Sequence, residues 1–167
     1  MSERPGGHKP GEHYFECRLV WTGATKGPTA TYEGYSREYR IDIPGKPSLR
    51  GSSAPVFKGD PALHNPEDLL VAALSGCHML SYLALCSRAG IQVTGYEDEV
   101  EGAMARVDGV TRFTEVVLHP KVSIAAGSDP EKALLLHERA HAECFIARSV
   151  NFPVRNIPTV SVAAPVD

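Results

Sequence analysis

The chain has no CxxC pair, no run of about eighteen apolar residues and no excess of basic charge. Each absence excludes something. Its four cysteines, Cys17, Cys77, Cys86 and Cys144, lie far apart, so neither a small disulfide scaffold nor a structural zinc knuckle fits. Lacking a long apolar run, the chain is expected to have no membrane partner. The opening MSERPGGHKPGEH is polar and Gly/Pro-rich, without the apolar core of a signal peptide, which makes the cytoplasm the expected address. Lys and Arg number 17 against 20 Asp and Glu, a net charge of −3, so no basic footprint for nucleic acid is present. In a reducing compartment, widely spaced cysteines are either inert core residues or chemically active.

What is present suits one domain of ordinary size: 167 residues, 43% hydrophobic and 22% charged. Residues 1–12 read as a flexible tail and residues 13–167 as the domain. HYFECRLVW alternates, with Phe15, Cys17, Leu19 and Trp21 on one side, which predicts a strand with that side buried and Cys17 as a small core hydrophobe. TATYEGYS and REYRIDI read as further strands, and IPGKPSLRGSSAP as a loop. NPEDLLVAALSGCHMLSYLALCSRAG predicts a long helix: Asn65 suits the cap, Pro66 the first helical position, Glu67 and Asp68 the positive end, and Gly90 the stop. Its middle is apolar almost all round, which predicts enclosure by sheet and other helices. IQVTGYEDEVEGAMARV and VTRFTEVVLHPKVSIA read as two strands joined at Asp108-Gly109, a two-residue hairpin signal. A second helix follows over SDPEKALLLHERAHAECFIARS, with Ser128 and Glu131 in capping-box spacing, and NIPTVSVAAPV closes as a strand. The order predicts an α+β fold, antiparallel sheets with a long central helix and a second helix.

Two helical cysteines carry chemical interest. Cys77 follows Gly76 in mid-helix, where glycine costs about 1 kcal/mol relative to alanine and points to close packing or access. The helix dipole does not reach that far, so a Cys77 thiolate needs a cation, for which Arg37, Arg40 and Arg50 are candidates. Glu67 can orient such an arginine through a bidentate pair. Cys86 is out of phase with Cys77 and about 13 Å along the axis, too far for a disulfide within one helix. Packing of the two helices is what would bring Cys77 and Cys144 together, and spacing alone does not establish it.

HERAHAEC, residues 137–144, contains an HExxH, the arrangement by which a zinc protease presents two histidines on one helical face. No third ligand stands at recognisable spacing, and Arg139 between the histidines would place a cation near the metal, so the match reads as a chance feature of the helix surface. A bare metal site of His137, His141 and Cys144 at i, i+4 and i+7 is the remaining metal reading.

NPEDLLVAALSGCHML, followed far downstream by AHAECFIARSV, resembles the OsmC/Ohr family of thiol-dependent peroxidases, over most of residues 13–165 and in element order. The resemblance implies an intertwined homodimer that reduces organic hydroperoxides, and hydrogen peroxide as a further candidate, as a protection against oxidative stress. It also implies that no bound cofactor is used: an external thiol reductant, a lipoyl-type dithiol being one candidate, restores the cysteines. Carried over by position, Cys77 is the peroxidatic thiolate, Cys144 the resolving thiol and Glu67 the partner of the active-site arginine, for which Arg37 matches better than Arg40 or Arg50. Cys144 precedes Phe145 where the family often has proline, and His78 stands where an apolar neighbour is more common, a pattern closer to the OsmC-like branch. Leu80, Phe57 and Phe145 are the expected apolar walls of the peroxide pocket. The competing readings are a non-catalytic OsmC-like binding or structural dimer and the His/Cys metal-binding protein.

Overall fold

The computed structural model describes residues 11–163. The expected tail, residues 1–12, lies outside the described residues except for Gly11 and Glu12. The chain divides at Pro66–Glu67 into two compact units, each taken by itself.

The first unit is a three-stranded antiparallel sheet of β1 (Arg18–Trp21), β2 (Tyr39–Asp42) and β3 (Leu49–Gly51), in that order. Three expectations are corrected here. TATYEGYS is a run of bends and turns, its end held by the Trp21 indole N–H donating to the Ser36 carbonyl at 2.7 Å. The β3 strand instead arises within the expected loop. Of HYFECRLVW only Arg18–Trp21 is strand, and its alternating side is not buried in this chain: Phe15 is 93% exposed, Leu19 and Trp21 are exposed, and Cys17 is an exposed thiol, not a core residue. Alternation predicts which side chains share a face, but not that a partner layer covers it.

In the second unit α1 (Pro66–Ala89) has the predicted bounds. It ends at Gly90 with φ 75°, where the Ile91 N–H donates to the Cys86 carbonyl at 2.9 Å, the closing bond of a Schellman turn. The two long strands predicted after it are each broken in two. They become β4 (Val93–Asp98) and β5 (Glu101–Val107), then β6 (Val110–Leu118) and β7 (Pro120–Ile124). Asp108 and Gly109, with φ of 52° and 82°, make the tight turn between β5 and β6. The break has a local cause. The Asp98 carboxylate accepts the His119 backbone N–H at 2.7 Å and the Ser75 hydroxyl at 2.6 Å, and Pro120 offers no N–H to continue the ladder. Beyond it, β4 pairs with β7 while β5 pairs with β6.

Helix α2 (Pro130–Glu143) is capped by Asp129, whose carboxylate accepts the Glu131 and Lys132 N–H groups at 3.0 and 3.1 Å. The Ser128 hydroxyl, predicted to cap, instead accepts the Gln92 N–H at 3.2 Å. Strands β8 (Val154–Asn156) and β9 (Thr159–Val162) then add in parallel to β6 and β7. The fold is α+β, with two three-stranded sheets in this unit, β5-β6-β8 and β4-β7-β9, each holding one antiparallel and one parallel pair.

The core forms two clusters. Leu74, Val116 and Leu118 pack with Val71, Phe113 and Ile146. Tyr82, Leu85, Cys86, Val122, Ile124, Ala133 and Ala140 form the other. Helix α1 crosses both and buries one stripe, Leu74, His78, Tyr82, Leu85 and Cys86. By length and composition it would pass as a membrane span, although that stripe is seated in the core. The predicted all-round enclosure is not found, since Leu80 is 65% exposed and Ala72, Ala73 and Ala84 are exposed with it.

Candidate active site

Cys77 and His78 occupy the stretch of α1 between Leu74, in one core cluster, and Tyr82, in the other. The α2 segment makes the same crossing: Ala140 belongs to the second cluster, and Ile146 and Ala147 join the first. Cys144 sits between them as the C-cap of α2, already in extended conformation with ψ 109°. Both cysteine-bearing segments therefore pass from one core to the other at one seam.

There the backbone just past Cys144 reaches the Cys77 sulfur. The Ile146 N–H donates to Cys77 Sγ and the Ala147 N–H to Cys144 Sγ, each at 3.5 Å, and both sulfurs are free thiols. Burial pushes the Cys144 thiol up to about 11, the hydrogen bond with Cys77 adds to the rise, and the backbone N–H groups oppose it. Cys144 is thus a neutral thiol at physiological pH, while Cys77 is half-buried. A Cβ added at Gly76 would meet no atom of the chain within 4 Å, so the glycine answers no close contact within this chain.

Beside the sulfurs lies a second pair that sequence reasoning did not join. His78 Nε2 and His137 Nδ1 are 3.0 Å apart, and their rings are nearly coplanar at 11°. Both side chains are fully buried, and the Tyr82 ring stacks on His137 at 3.8 Å. Desolvation holds His78 down to about 4, helped by His141 and opposed by Asp98; it holds His137 down to about 3, helped by His78. Both imidazoles are neutral, one donating to the other. Their far nitrogens, His78 Nδ1 and His137 Nε2, are buried without a hydrogen-bond partner, as is His141 Nδ1. The first histidine of HExxH is therefore a core residue, not a feature of the helix surface. Among the described residues no group of three or more His, Cys, Asp or Glu side chains is placed to hold a metal, so His137, His141 and Cys144 form no such set. Arg139 turns away to pair with Glu143 at 2.8 Å.

Glu67 Oε2 is buried without a hydrogen-bond partner. The candidate arginines each have partners within the first unit. The Arg37 guanidinium donates to the carbonyls of Tyr35, at 2.6 Å, and Tyr32, and lies over both rings at 3.9 and 4.8 Å. Arg40 pairs with Asp42 at 2.9 Å and Arg50 with Glu38 at 3.3 Å. Of the expected wall residues, Phe57 is exposed in the first unit, and Leu80 and Phe145 are exposed close in sequence to the two cysteines.

The OsmC-like protein family model matches residues 59–156, and the chain belongs to that family. Its fold is similar to an OsmC-like protein of unknown function from Vibrio cholerae, 29% identical, covering 89% of this chain and 100% of that one with a TM-score of 0.82. It is similar also to the organic hydroperoxide resistance protein OhrB of Bacillus subtilis, at 19% identity, 88% and 98% coverage and a TM-score of 0.59. Among curated proteins it is similar to the uncharacterized protein YmaD of Bacillus subtilis, 22% identical over 83% of this chain and 87% of that one.

Proposed function

We propose that this chain is a thiol-dependent peroxidase that reduces organic hydroperoxides through Cys77 and Cys144. The observation that carries the reading is the meeting of the two cysteine segments at the seam, where the Ile146 N–H, two residues past the buried Cys144, donates to the half-buried Cys77 Sγ at 3.5 Å. The Cys77 thiolate attacks the distal oxygen of ROOH; the O–O bond breaks, the alcohol leaves with one proton, and Cys77 becomes a sulfenic acid. The neutral Cys144 thiol then displaces the sulfenic oxygen as water, forming the S–S bond, and an external dithiol reduces that bond by exchange. Holding Cys144 protonated favours this order, because peroxide meets only one reactive sulfur first.

Arg37 is the proposed cation for Cys77 and the proposed partner of Glu67, whose orphaned oxygen suits a guanidinium. A bidentate donor would also stabilise charge on the leaving oxygen. A homodimer belongs to the same proposal: the exposed apolar side chains Leu80 on α1 and Leu19 on β1 call for cover. Sedimentation of the purified protein tests it, and a monomer that consumes peroxide would remove the dimer from the mechanism.

The function is tested with tert-butyl and cumene hydroperoxide and a dithiol reductant, with glutathione alongside. The expected result is turnover with a Cys77–Cys144 disulfide detected by peptide mass spectrometry. A folded protein that shows neither leaves a non-catalytic binding or structural dimer as the reading.

A further inference from the structure

We infer that the His78–His137 pair is a positioning clasp that brings Cys77 and Cys144 into disulfide range. The inference rests on the two-cysteine reading above. His78 is the residue after Cys77 on α1, and His137 lies seven residues before Cys144 on α2. Six residues of α2, about 9 Å of helix, lead from the imidazole contact to Glu143, and Cys144 follows directly as the cap. The pair is a poor choice for stability alone. It places two polar rings in an apolar core and leaves one nitrogen of each unpartnered, where two aliphatic side chains would leave none. A hydrogen bond adds what aliphatic packing lacks, a fixed distance and a fixed ring plane, here 3.0 Å and 11°. Apolar layers slide; this contact sets the register of α1 against α2 beside the two sulfurs.

The Tyr82 ring closes one face of His137, and on the opposite strand Asp98 holds Ser75, one turn before the clasp. Residues 75 to 82 of α1 are thus tied at three successive points to β4 and α2. Neither histidine is assigned contact with peroxide or sulfur, so both are positioning residues.

The test is the effective concentration of Cys77 for Cys144, measured in buffers of oxidised and reduced dithiothreitol, which needs no peroxide. His137→Leu is expected to lower it about tenfold, the scale of one buried hydrogen bond. His137→Gln, whose amide can still engage His78, is expected to recover it to within about threefold. Should His137→Leu fail to fold, His78→Leu/His137→Leu removes both polar rings and is expected to fold with the same tenfold loss. Unchanged effective concentration in folded His137→Leu, or in the folded double variant, overturns the clasp, as does a wild-type protein that forms no disulfide in these buffers. A wild type that closes the disulfide but consumes no peroxide overturns the peroxidase, while a tenfold loss in His137→Leu would still support the clasp.

Discussion

Two side-chain pairs join α1 to the α2 segment at neighbouring positions, and they are made differently. Cys77 and Cys144 meet with backbone N–H donors at each sulfur and one thiol half-exposed. His78 and His137 meet in full burial, with outer nitrogens that nothing satisfies. The first pair is built to change its bonding, since a neutral thiol beside a half-open one is what a reversible disulfide requires. The second is built to stay, because burial keeps both rings neutral. Substitutions in each pair should therefore separate chemistry from architecture. The largest effect is expected for Cys77→Ser, a loss of peroxide turnover of about three orders of magnitude or more with an unchanged melting temperature. Cys144→Ser should still consume one equivalent of peroxide and stop at a sulfenic acid that dimedone traps. Equal loss of the first oxidation step in both variants would erase the distinction between the two sulfurs.

The imidazole pair should show itself in the pH dependence of stability. Unfolded, both histidines titrate near 6.5; folded, His78 does so at about 4 and His137 at about 3. Between about pH 6.5 and 4 the unfolded chain binds protons that the folded one does not. Stability is fully present above the unfolded value and falls as pH falls through that window, by on the order of 3 kcal/mol for one such shift. The groups acting on the pair are His141 from α2, which deepens the His78 shift, and Asp98 from β4, which opposes it; the Tyr82 ring packs against His137. Urea midpoints at pH 7 and pH 4.5 check this. The His78→Leu/His137→Leu chain should lose less on acidification than the wild type, the carboxylates being common to both. An identical loss would mean that the rings already reach water.

Asp98→Ala should have a smaller effect, about 2 kcal/mol in urea, because it strands the His119 N–H and the Ser75 hydroxyl together. It sharpens the comparison by loosening α1 from the strand side while leaving α2 in place. If the effective concentration of Cys77 for Cys144 falls as far as in His137→Leu, the whole seam fixes the sulfurs; if it holds, the clasp does so.

Much of this was legible locally and little of it across elements. The ends of α1 follow from Pro66 and Gly90, and the hairpin from Asp108-Gly109, because these are backbone preferences of single residues. The break in the two long strands is only half legible: Pro120 marks it within one strand, but the Asp98 carboxylate that takes the His119 N–H stands on the other, twenty-one positions away. The β1 face was read correctly as apolar, but alternation carries no information about what lies opposite it. Cys77 and Cys144 were both singled out, yet only packing could bring their sulfurs together. His78 and His137 each stand out in the sequence, one as an unusual neighbour of a cysteine and one as half of HExxH. Nothing in helical periodicity links residues on two different helices, so the pair is legible only in the packing of α1 with α2.

The capping of α2 offers the smallest effect and a control for both pairs. Pro130 takes the first helical position, and that alone designates the residue before it, Asp129, as the cap, a signal stronger than the spacing of Ser128 to Glu131. Asp129→Ala should cost about 1 kcal/mol by freeing the Glu131 and Lys132 N–H groups. Ser128→Ala should cost less, since it removes only the acceptor for Gln92, which lies toward exposed surface. Both changes act at the end of α2 opposite Cys144. Thermal melting should register the difference between them, while the Cys77–Cys144 equilibrium should stay within about twofold of wild type in either variant, because fraying a first turn does not propagate through a packed helix to its last. A disulfide equilibrium that tracked the melting temperature across this series would mean that general stability, not the geometry of the seam, brings the sulfurs together.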